Sequence, residues 1–87
     1  MKQEFSHKVL LVDDRPENIF SLVSLLTGRG LEIHSANSGA EALRLMVDHD
    51  FSLAILDIQM PEMDGFELAT LMRGIEKTKH IPIIFIS

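Results

Sequence analysis

Short, uninterrupted apolar segments recur along the chain and predict buried strands. The clearest are residues 9–12, residues 53–56 and Ile83–Ile86, which are continuously apolar rather than alternating. Continuous apolar segments are typical of parallel strands that helices cover on both faces. Leu31–Ala36 is a weaker, mixed segment that suits an edge strand. We therefore predict a sheet of four strands.

Segments of helical periodicity separate the predicted strands. The first begins at Pro16, which suits a first helical position because its φ is fixed and it has no N–H. The second and third begin with capping-box pairs, Ser38 with Glu41 and Asp64 with Glu67. Each helix carries an apolar stripe, formed in turn by Ile19, Leu22, Val23 and Leu26, by Leu43, Met46 and Val47, and by Gly65, Leu68, Ala69 and Met72. The small glycine in the third stripe allows that helix to approach the sheet closely.

The resulting order, β-α-β-α-β-α-β, predicts an α/β fold with a parallel sheet, because right-handed crossovers place helices over its faces. In such sheets ligands bind beyond the carboxyl ends of the strands. Asp13 and Asp14 directly follow the first strand, and Asp57 directly follows the third. If these strands are neighbours, about 4.8 Å apart, the three carboxylates meet at one edge.

Carboxylates that meet in this way need a compensating group, because each pair about 5 Å apart repels by roughly 3 kcal/mol at an effective dielectric near 20. Oxygen ligands favour Mg²⁺ or Mn²⁺, and the chain contains no cysteine. The histidines show no pair at metal-ligand spacing and occur at His7, His34, His49 and His80. We therefore predict a Mg²⁺ or Mn²⁺ site at Asp13, Asp14 and Asp57.

The composition narrows the classes of function further. The 87 residues carry a formal net charge of −5, and the 8 basic residues form no stripe, which argues against binding of nucleic acid or an anionic membrane. No segment resembles a signal peptide or a membrane span, so we expect a cytoplasmic protein. We also expect the phenylalanines in or near the core, a solvated helix end at residues 48–50, and no chemical role for His34 or His80.

Three motifs together resemble the receiver domain of two-component response regulators. They are Leu-Leu-Val-Asp-Asp-Arg-Pro-Glu-Asn at residues 10–18, Leu-Asp-Ile-Gln-Met-Pro-Glu-Met-Asp-Gly at residues 56–65, and Ile-Ile-Phe-Ile-Ser at residues 83–87. The resemblance extends from about Lys8 to Ser87, and the two aspartate motifs, with Asp13 and Asp57 separated by 44 positions, seldom coincide by chance. It implies a flavodoxin-like, doubly wound parallel sheet with strand order 2-1-3-4.

The same resemblance implies a phosphorelay function in which a histidine kinase donates a phosphoryl group to Asp57. Asp14 resembles the direct Mg²⁺ ligand, and Asp13 resembles its water-mediated partner. Gln59 resembles the residue that offers a backbone carbonyl to the metal, and Ser87 resembles the switch hydroxyl that turns toward the phosphate. The aspartyl phosphate of that family is a signalling state rather than the product of an enzyme with turnover.

The chain also departs from the family pattern. The resemblance implies a fourth helix, a fifth strand with the family's lysine at its end, and a fifth helix, which residues 1–87 do not contain. We therefore expect residues 1–87 to form a single incomplete receiver domain. Lys77 and Lys79 precede the fourth strand and cannot replace that lysine. An uncovered fourth strand predicts self-association, by edge pairing or by exchange of elements between protomers.

Two other functions remain open. The chain could act only as an interaction or dimerisation module that is poorly phosphorylated or not phosphorylated. It could also be an aspartate-nucleophile phosphatase, but that class needs Asp-x-Asp after its first strand, and Asp13-Asp14-Arg15 lacks the second aspartate at that spacing.

Overall fold

The computed structural model describes residues 7–87. Its elements are β1 His7–Val12, α1 Pro16–Leu26, β2 Leu31–Ala36, α2 Gly39–Asp48, β3 Leu53–Asp57, α3 Gly65–Arg73 and β4 Ile83–Ile86. The strands form one parallel sheet in the order β2-β1-β3-β4, which confirms the flavodoxin-like order predicted above. No helix among the described residues is long and apolar enough to cross a membrane. The core position predicted for Phe5 lies outside the described residues.

The register of the two central strands brings their carboxyl ends to the same level. Val12, the last residue of β1, pairs with Leu56, the penultimate residue of β3. The backbone N–H of Asp13 continues the pairing on the other side by donating to the carbonyl of Ala36 at 3.1 Å. The residues that follow β1 and β3 therefore lie beside each other at one edge of the sheet.

The two faces of the sheet are covered to different extents. The first core, on the face covered by α2 and α3, contains Leu10, Val12, Ala36, Ala42, Met46, Phe51, Ala54, Leu56, Met60, Leu68, Met72 and Ile81. On the other face, the apolar cluster of the described residues has three buried members, Val9, Leu11 and Ile55, and the predicted apolar stripe of α1 packs against them. Successive β1 residues point to opposite faces, so each face receives half of that strand. Among the described helices only α1 covers the second face, and none of the residues of α1 is buried.

Both predicted helix N-caps are present, but only one forms a complete capping box. Asp64 accepts a hydrogen bond from the Glu67 N–H at 2.8 Å, and the Glu67 carboxylate accepts from the Asp64 N–H at 2.9 Å. Ser38 accepts from the Glu41 N–H at 3.1 Å, but the Glu41 carboxylate accepts from the Asn37 N–H at 2.8 Å. The second half of the predicted Ser38 box is therefore wrong, since the glutamate reaches one residue further back.

Gly65 brings the start of α3 directly against the end of β3, in agreement with the close approach predicted for it. A Cβ atom at this position would clash with the backbone carbonyl oxygen of Asp57. Leu68 and Met72 follow on the same side of α3 and are fully buried. The position of α3 is therefore fixed by a backbone contact at its first residue and by apolar packing along its length.

The prediction that phenylalanines lie in or near the core is wrong for three of the four that are described. Phe51 is buried, but Phe20, Phe66 and Phe85 are 73%, 55% and 42% exposed. Phe66 of α3 contacts Phe85 of β4 with ring centroids 4.8 Å apart, so these two rings shield each other rather than fill the core.

The apolar stripe predicted for α2 is wrong at Val47, which is exposed. Val47 comes one residue after the buried Met46, so it is rotated by about 100° around the helix, away from the buried stripe.

The end of α2 differs from the solvated end predicted at residues 48–50. Asp48 and Asp50 are exposed, but His49 is half-buried. Its ring lies against the ring of His34 with centroids 4.2 Å apart, and Lys8 Nζ donates a hydrogen bond to its Nδ1 at 3.2 Å. The solvated interpretation is therefore wrong for His49.

Candidate functional site

The carboxyl edge of the sheet brings three carboxylates together. Asp13 and Asp14 follow β1, and Asp57 is the last residue of β3. One oxygen from each side chain lies within 4.8 Å of the others. Asp13 and Asp57 are each 1% exposed, and Asp14 is half-buried. The convergence follows from the parallel β1–β3 pairing, which aligns the residues after both strands.

Asp13 is held by the turn that connects β1 to α1. Its Oδ1 accepts a hydrogen bond from the Arg15 N–H at 3.0 Å, and its Oδ2 accepts from Asn18 Nδ2 at 3.2 Å. Asn18 was not predicted as a site residue. It lies in the first turn of α1, directly after the turn that contains Asp13, so its amide can reach the Asp13 carboxylate. Both Asp13 oxygens thus have protein donors, so its carboxylate is fixed in direction.

Asp57 is satisfied at only one of its two oxygens. Oδ1 accepts a hydrogen bond from the Gln59 N–H at 3.2 Å, whereas Oδ2 is buried without a partner. Burial raises the pKa of Asp57, and the neighbouring Asp13 carboxylate raises it further. The Gln59 N–H and the charge of Arg15 act in the opposite direction without cancelling the rise. Ionisation of Asp57 is therefore less favourable in the folded protein than it is for a free aspartate in water.

The donor set fits a hard divalent cation. Two buried oxygens at this edge, Asp14 Oδ1 and Asp57 Oδ2, have no hydrogen-bond partner. Leaving a buried charged acceptor unsatisfied costs several kcal/mol in general, and a cation shared by the carboxylates removes that cost. All three ligands are oxygens, which suits Mg²⁺ or Mn²⁺ rather than a metal that prefers nitrogen or sulfur.

Gln59 and Ser87 occupy exposed positions around the three carboxylates. The backbone N–H of Gln59 points to Asp57, so the residue caps the end of β3 through its main chain. Ser87 borders a cavity of about 250 Å³ that is also lined by Asp13, Asn18 and Ile86. The carboxyl end of β4 therefore opens onto the same edge as the carboxylates.

A cavity larger than the one beside Ser87 lies away from this site. A cavity of about 450 Å³ lies between α1 and β2 and is lined by residues such as Phe20, Val23 and Ser35, with none of the three carboxylates. Size alone thus selects an apolar groove, whereas the unsatisfied oxygens identify the place where a charged ligand is needed. We therefore assign the functional site by its chemistry.

The loop after Asp57 follows a constrained path. Glu62 has a positive φ of 70°, and the Met63 N–H donates to the Pro61 carbonyl at 2.8 Å, which is the geometry of a classic γ-turn. Met63 then packs over Gly39 at the start of α2, where a Cβ would collide with its side chain. The loop that borders the carboxylates is therefore attached to a neighbouring helix.

The lysines before β4 lie away from the carboxylates. Lys77 Nζ donates to the carbonyl of Val47 at 2.8 Å, near the end of α2, and lies 3.6 Å from Asp50. Lys79 pairs with Glu76 at 3.1 Å. Both ammonium groups are thus occupied at the end of the sheet opposite to Asp57.

Comparisons with known proteins agree on one family. The model of the response regulator receiver domain matches residues 9–87. The crystal structure of the N-terminal domain of a response regulator receiver protein from Methanoculleus marisnigri JR1 superposes with a TM-score of 0.89 at 30% identity, covering 94% of this chain and 67% of that chain.

Two curated relatives are much longer than the match. A Vibrio cholerae protein named "Probable cyclic di-GMP phosphodiesterase" is 38% identical over 79 residues, which is 91% of this chain and 18% of that protein. The transcriptional regulatory protein SrrA of Staphylococcus aureus is 35% identical over 82 residues, which is 94% of this chain and 33% of SrrA. The chain therefore corresponds to one part of relatives whose names describe different outputs.

Proposed function

Because the chain belongs to the family of response regulator receiver domains, we propose that it accepts a phosphoryl group on Asp57 from a histidine kinase in two-component signalling. The observation that carries this proposal is the buried, unpartnered Oδ2 of Asp57 beside the Asp13 and Asp14 carboxylates. A structural aspartate would have its oxygens satisfied by donors. An oxygen left free at the carboxyl edge of a parallel sheet is placed to react with an incoming ligand.

The proposed roles of the remaining residues follow from their positions. Asp14 and Asp57 would hold Mg²⁺ directly, Asp13 would act through a water molecule, and the Gln59 carbonyl would complete the protein ligands. Ser87 would turn its hydroxyl toward the phosphoryl group from the end of β4. Mg²⁺, when bound, would neutralise the charge that develops on the phosphoryl oxygens.

The chain's own residues prepare the transfer by orientation. The Gln59 N–H holds Asp57 Oδ1, so Oδ2 keeps the freer lone pairs and is the atom proposed to attack. The new Oδ2–P bond forms as the P–N bond of the donor phosphohistidine breaks, and the imidazole nitrogen leaves with that electron pair. Arg15 N–H and Asn18 fix Asp13, which keeps the negative charge of the site in place. The product is a signalling state of a cytoplasmic switch, without catalytic turnover.

A small phosphodonor tests the proposal directly. We expect intact-mass analysis after incubation with acetyl phosphate and Mg²⁺ to show one phosphoryl adduct on the wild-type chain. Asp57→Asn should abolish it, because the amide has no nucleophilic oxygen of comparable strength. Asp48→Asn, the same substitution at an exposed position outside the site, should leave the yield unchanged.

Three outcomes distinguish the assignments. An adduct that survives Asp57→Asn contradicts the choice of residue, and a wild-type chain without any adduct contradicts phosphoacceptance by this chain. A Ser87→Ala variant that keeps the adduct yield but loses a phosphorylation-dependent spectral or stability change supports the proposed switch role of the hydroxyl.

A second candidate function rests on β4. This strand is at one edge of the sheet, and its Ile84 and Phe85 are 49% and 42% exposed. An apolar edge strand presents free backbone groups on which another chain can pair. A role as an interaction module through β4 therefore predicts self-association, which sedimentation at micromolar concentration measures. A stable monomer at that concentration contradicts it.

A further inference from the structure

A second cluster of titratable side chains lies at the amino edge of the sheet, away from the three aspartates. We call Lys8, Glu32, His34 and His49 the amino-edge cluster. Lys8 pairs with Glu32 in the β1–β2 register, and His34 follows two residues later on the same face of β2. His49 is the C-cap residue of α2. The cluster thus joins the edge strand β2 to the end of α2. It lies at the end of the sheet opposite to Asp57.

Three members of this cluster present ligand atoms to a common point. One atom each from Glu32, His34 and His49 lies within 4.8 Å of the others. His34 Nε2 and Glu32 Oε2 are 2.6 Å apart. Ligand atoms around a tetrahedral zinc ion are about 3.3 Å apart at normal bond lengths. Small side-chain rotations, which separate the close pair and bring His49 nearer, are therefore enough to place the three atoms around one ion.

The surroundings of these ligands favour an ordered site. The side chains of His34 and Glu32 are only 22% and 36% exposed. The ring of Phe51 stands 5.6 Å from that of His34 and 5.8 Å from that of His49, so an apolar wall restricts both imidazoles.

We propose that Glu32, His34 and His49 bind a late first-row transition-metal ion of the Zn²⁺ class. Two imidazole nitrogens and one carboxylate oxygen form a set that zinc accepts with a water molecule in the fourth position. The same set disfavours Mg²⁺, which prefers oxygen ligands only. The chain therefore carries two cation sites of different chemistry, and the amino-edge site clamps β2 to the end of α2.

Lys8 sets the affinity of this site. Because an ammonium group has no acceptor, its 3.2 Å contact with His49 means that Nδ1 of His49 is unprotonated and accepts the hydrogen bond. This nitrogen is thus in the form that a metal ion requires, but Lys8 covers it and adds a like charge. Metal binding displaces the flexible lysine from Nδ1. The ion takes the place of the Nε2 proton of His34, which is released to solvent, and lies between His34 and Glu32.

The experiment uses Zn²⁺ itself as the probe. Zn²⁺ is titrated against a chromophoric chelator in saturating Mg²⁺, which occupies the aspartate site, with the wild-type chain and with single variants. We expect one equivalent of Zn²⁺ on the wild type and a loss of affinity of more than about tenfold in His34→Gln and His49→Gln. His80→Gln removes an exposed imidazole elsewhere and should bind as the wild type does, as should Asp57→Asn.

Several results would overturn the proposal. Zn²⁺ binding that persists in both His34→Gln and His49→Gln places the ion elsewhere, and binding that is lost in Asp57→Asn places it at the aspartates. Circular dichroism of each variant establishes that it is folded before the titration. Failure of the wild type to bind one equivalent also refutes the site.

Lys8→Gln provides a test that misfolding cannot imitate. Removing the ammonium charge should raise the affinity for Zn²⁺ about fivefold, because a like charge near the ion is lost and His49 Nδ1 is uncovered. With Co²⁺ in place of Zn²⁺, the same variant should develop the visible absorption of a four-coordinate ion at lower metal concentration. An unchanged or lower affinity in Lys8→Gln contradicts the geometry proposed here.

Discussion

The two ends of the parallel sheet carry charged clusters with opposite internal arrangements. At the carboxyl edge, Asp13, Asp14 and Asp57 have the same sign, and two of their buried oxygens lack a partner. At the amino edge, Lys8 contacts His49 and His34 contacts Glu32, so each cluster member has a partner. Both clusters offer three ligand atoms within 4.8 Å of one another.

A cluster can thus bring ligand atoms close together without needing a bound ion. Carboxylates about 5 Å apart repel by roughly 3 kcal/mol per pair at an effective dielectric near 20, so the carboxyl edge is unfavourable until a cation or a proton arrives. At the amino edge the charge of Lys8 offsets that of Glu32 and both histidines have hydrogen-bond partners, so a metal ion must displace an existing contact there. The carboxyl edge is therefore stabilised by binding a cation or a proton, whereas the amino edge is stable without a ligand.

The largest expected effect on stability comes from adding a side chain where α3 contacts the end of β3. Gly65→Ala should lower the free energy of unfolding by about 3 kcal/mol, because the new Cβ meets the backbone carbonyl of Asp57 and neither element can yield cheaply. Gly74→Ala is the matched control, since its Cβ would lie 3.6 Å from the nearest atom and should change stability by less than about 0.5 kcal/mol. Urea denaturation measures both, and equal effects would contradict the close approach.

The next effect isolates the repulsion within the carboxyl edge. Asp57→Asn should raise the free energy of unfolding by about 1 to 3 kcal/mol at pH 7 without divalent ions, since it removes one buried charge beside two others. Added Mg²⁺ should narrow the difference in the free energy of unfolding, because only the wild type has the Asp57 carboxylate to bind the ion. Asp48→Asn should be neutral under both conditions. A wild type more stable than Asp57→Asn in the absence of Mg²⁺ contradicts the unfavourable ionisation.

The pH dependence should have opposite signs at the two edges. Burial raises the pKa of Asp57 above its ordinary value of 3.8, so the advantage of Asp57→Asn is full above the folded-state pKa. That advantage should disappear as the pH falls through the folded-state pKa to below 3.8.

Glu32 should show the reverse. The hydrogen bond from His34 lowers the pKa of Glu32 below its ordinary value of 4.5, so its ionised form contributes stability that is complete above pH 4.5. Glu32→Gln should therefore be less stable than the wild type near neutral pH, and the difference should vanish as the pH falls through the lowered pKa. Thermal unfolding of both variants and the wild type from about pH 3 to about pH 7, which brackets the ordinary carboxyl pKa values, measures the sign of each stability difference. Parallel profiles at the two edges would refute the contrast.

The smallest effect concerns the loop beside the carboxylates. Glu62→Gly should raise the free energy of unfolding by at most about 1 kcal/mol, because the positive φ of 70° at this position costs a residue with a side chain more than it costs glycine. The gain is limited by the greater freedom of glycine in the unfolded chain. Chemical denaturation measures the change, and a clear loss of stability would indicate that the Glu62 side chain has a favourable contact.

The sequence predicted the strands and the place of the carboxylates because these depend on local or topological rules, whereas the strand order followed from the resemblance to receiver domains. Continuous apolar segments identified buried strands, and parallel connections required Asp13 and Asp57 to meet once β1 and β3 were neighbours. The start of α1 at Pro16 and the caps at Ser38 and Asp64 were predictable because capping depends on nearby residues.

The remaining features depend on packing that local patterns do not determine. His34 and His49 meet because α2 returns to the edge of β2, and their spacing in the sequence resembles no metal motif. Phe20 and Phe66 are apolar residues on otherwise plausible helices, yet their exposure depends on which helix face meets the sheet. The bond from Asn18 to Asp13 depends on the exact turn between β1 and α1.

The parallel pairing of every strand has a consequence for the folding pathway. The four described strands form no hairpin that could serve as a local nucleus, and Val9 must find Ile33 on one side and Leu53 on the other. Loop closure over such separations slows folding relative to local pairing. During synthesis from the N-terminus, β2 and α2 emerge before β3, so Asp57 joins Asp13 and Asp14 late. The mutually repelling aspartates meet only when β3 pairs with β1, so the apolar pairing of these strands must offset their repulsion at the same step.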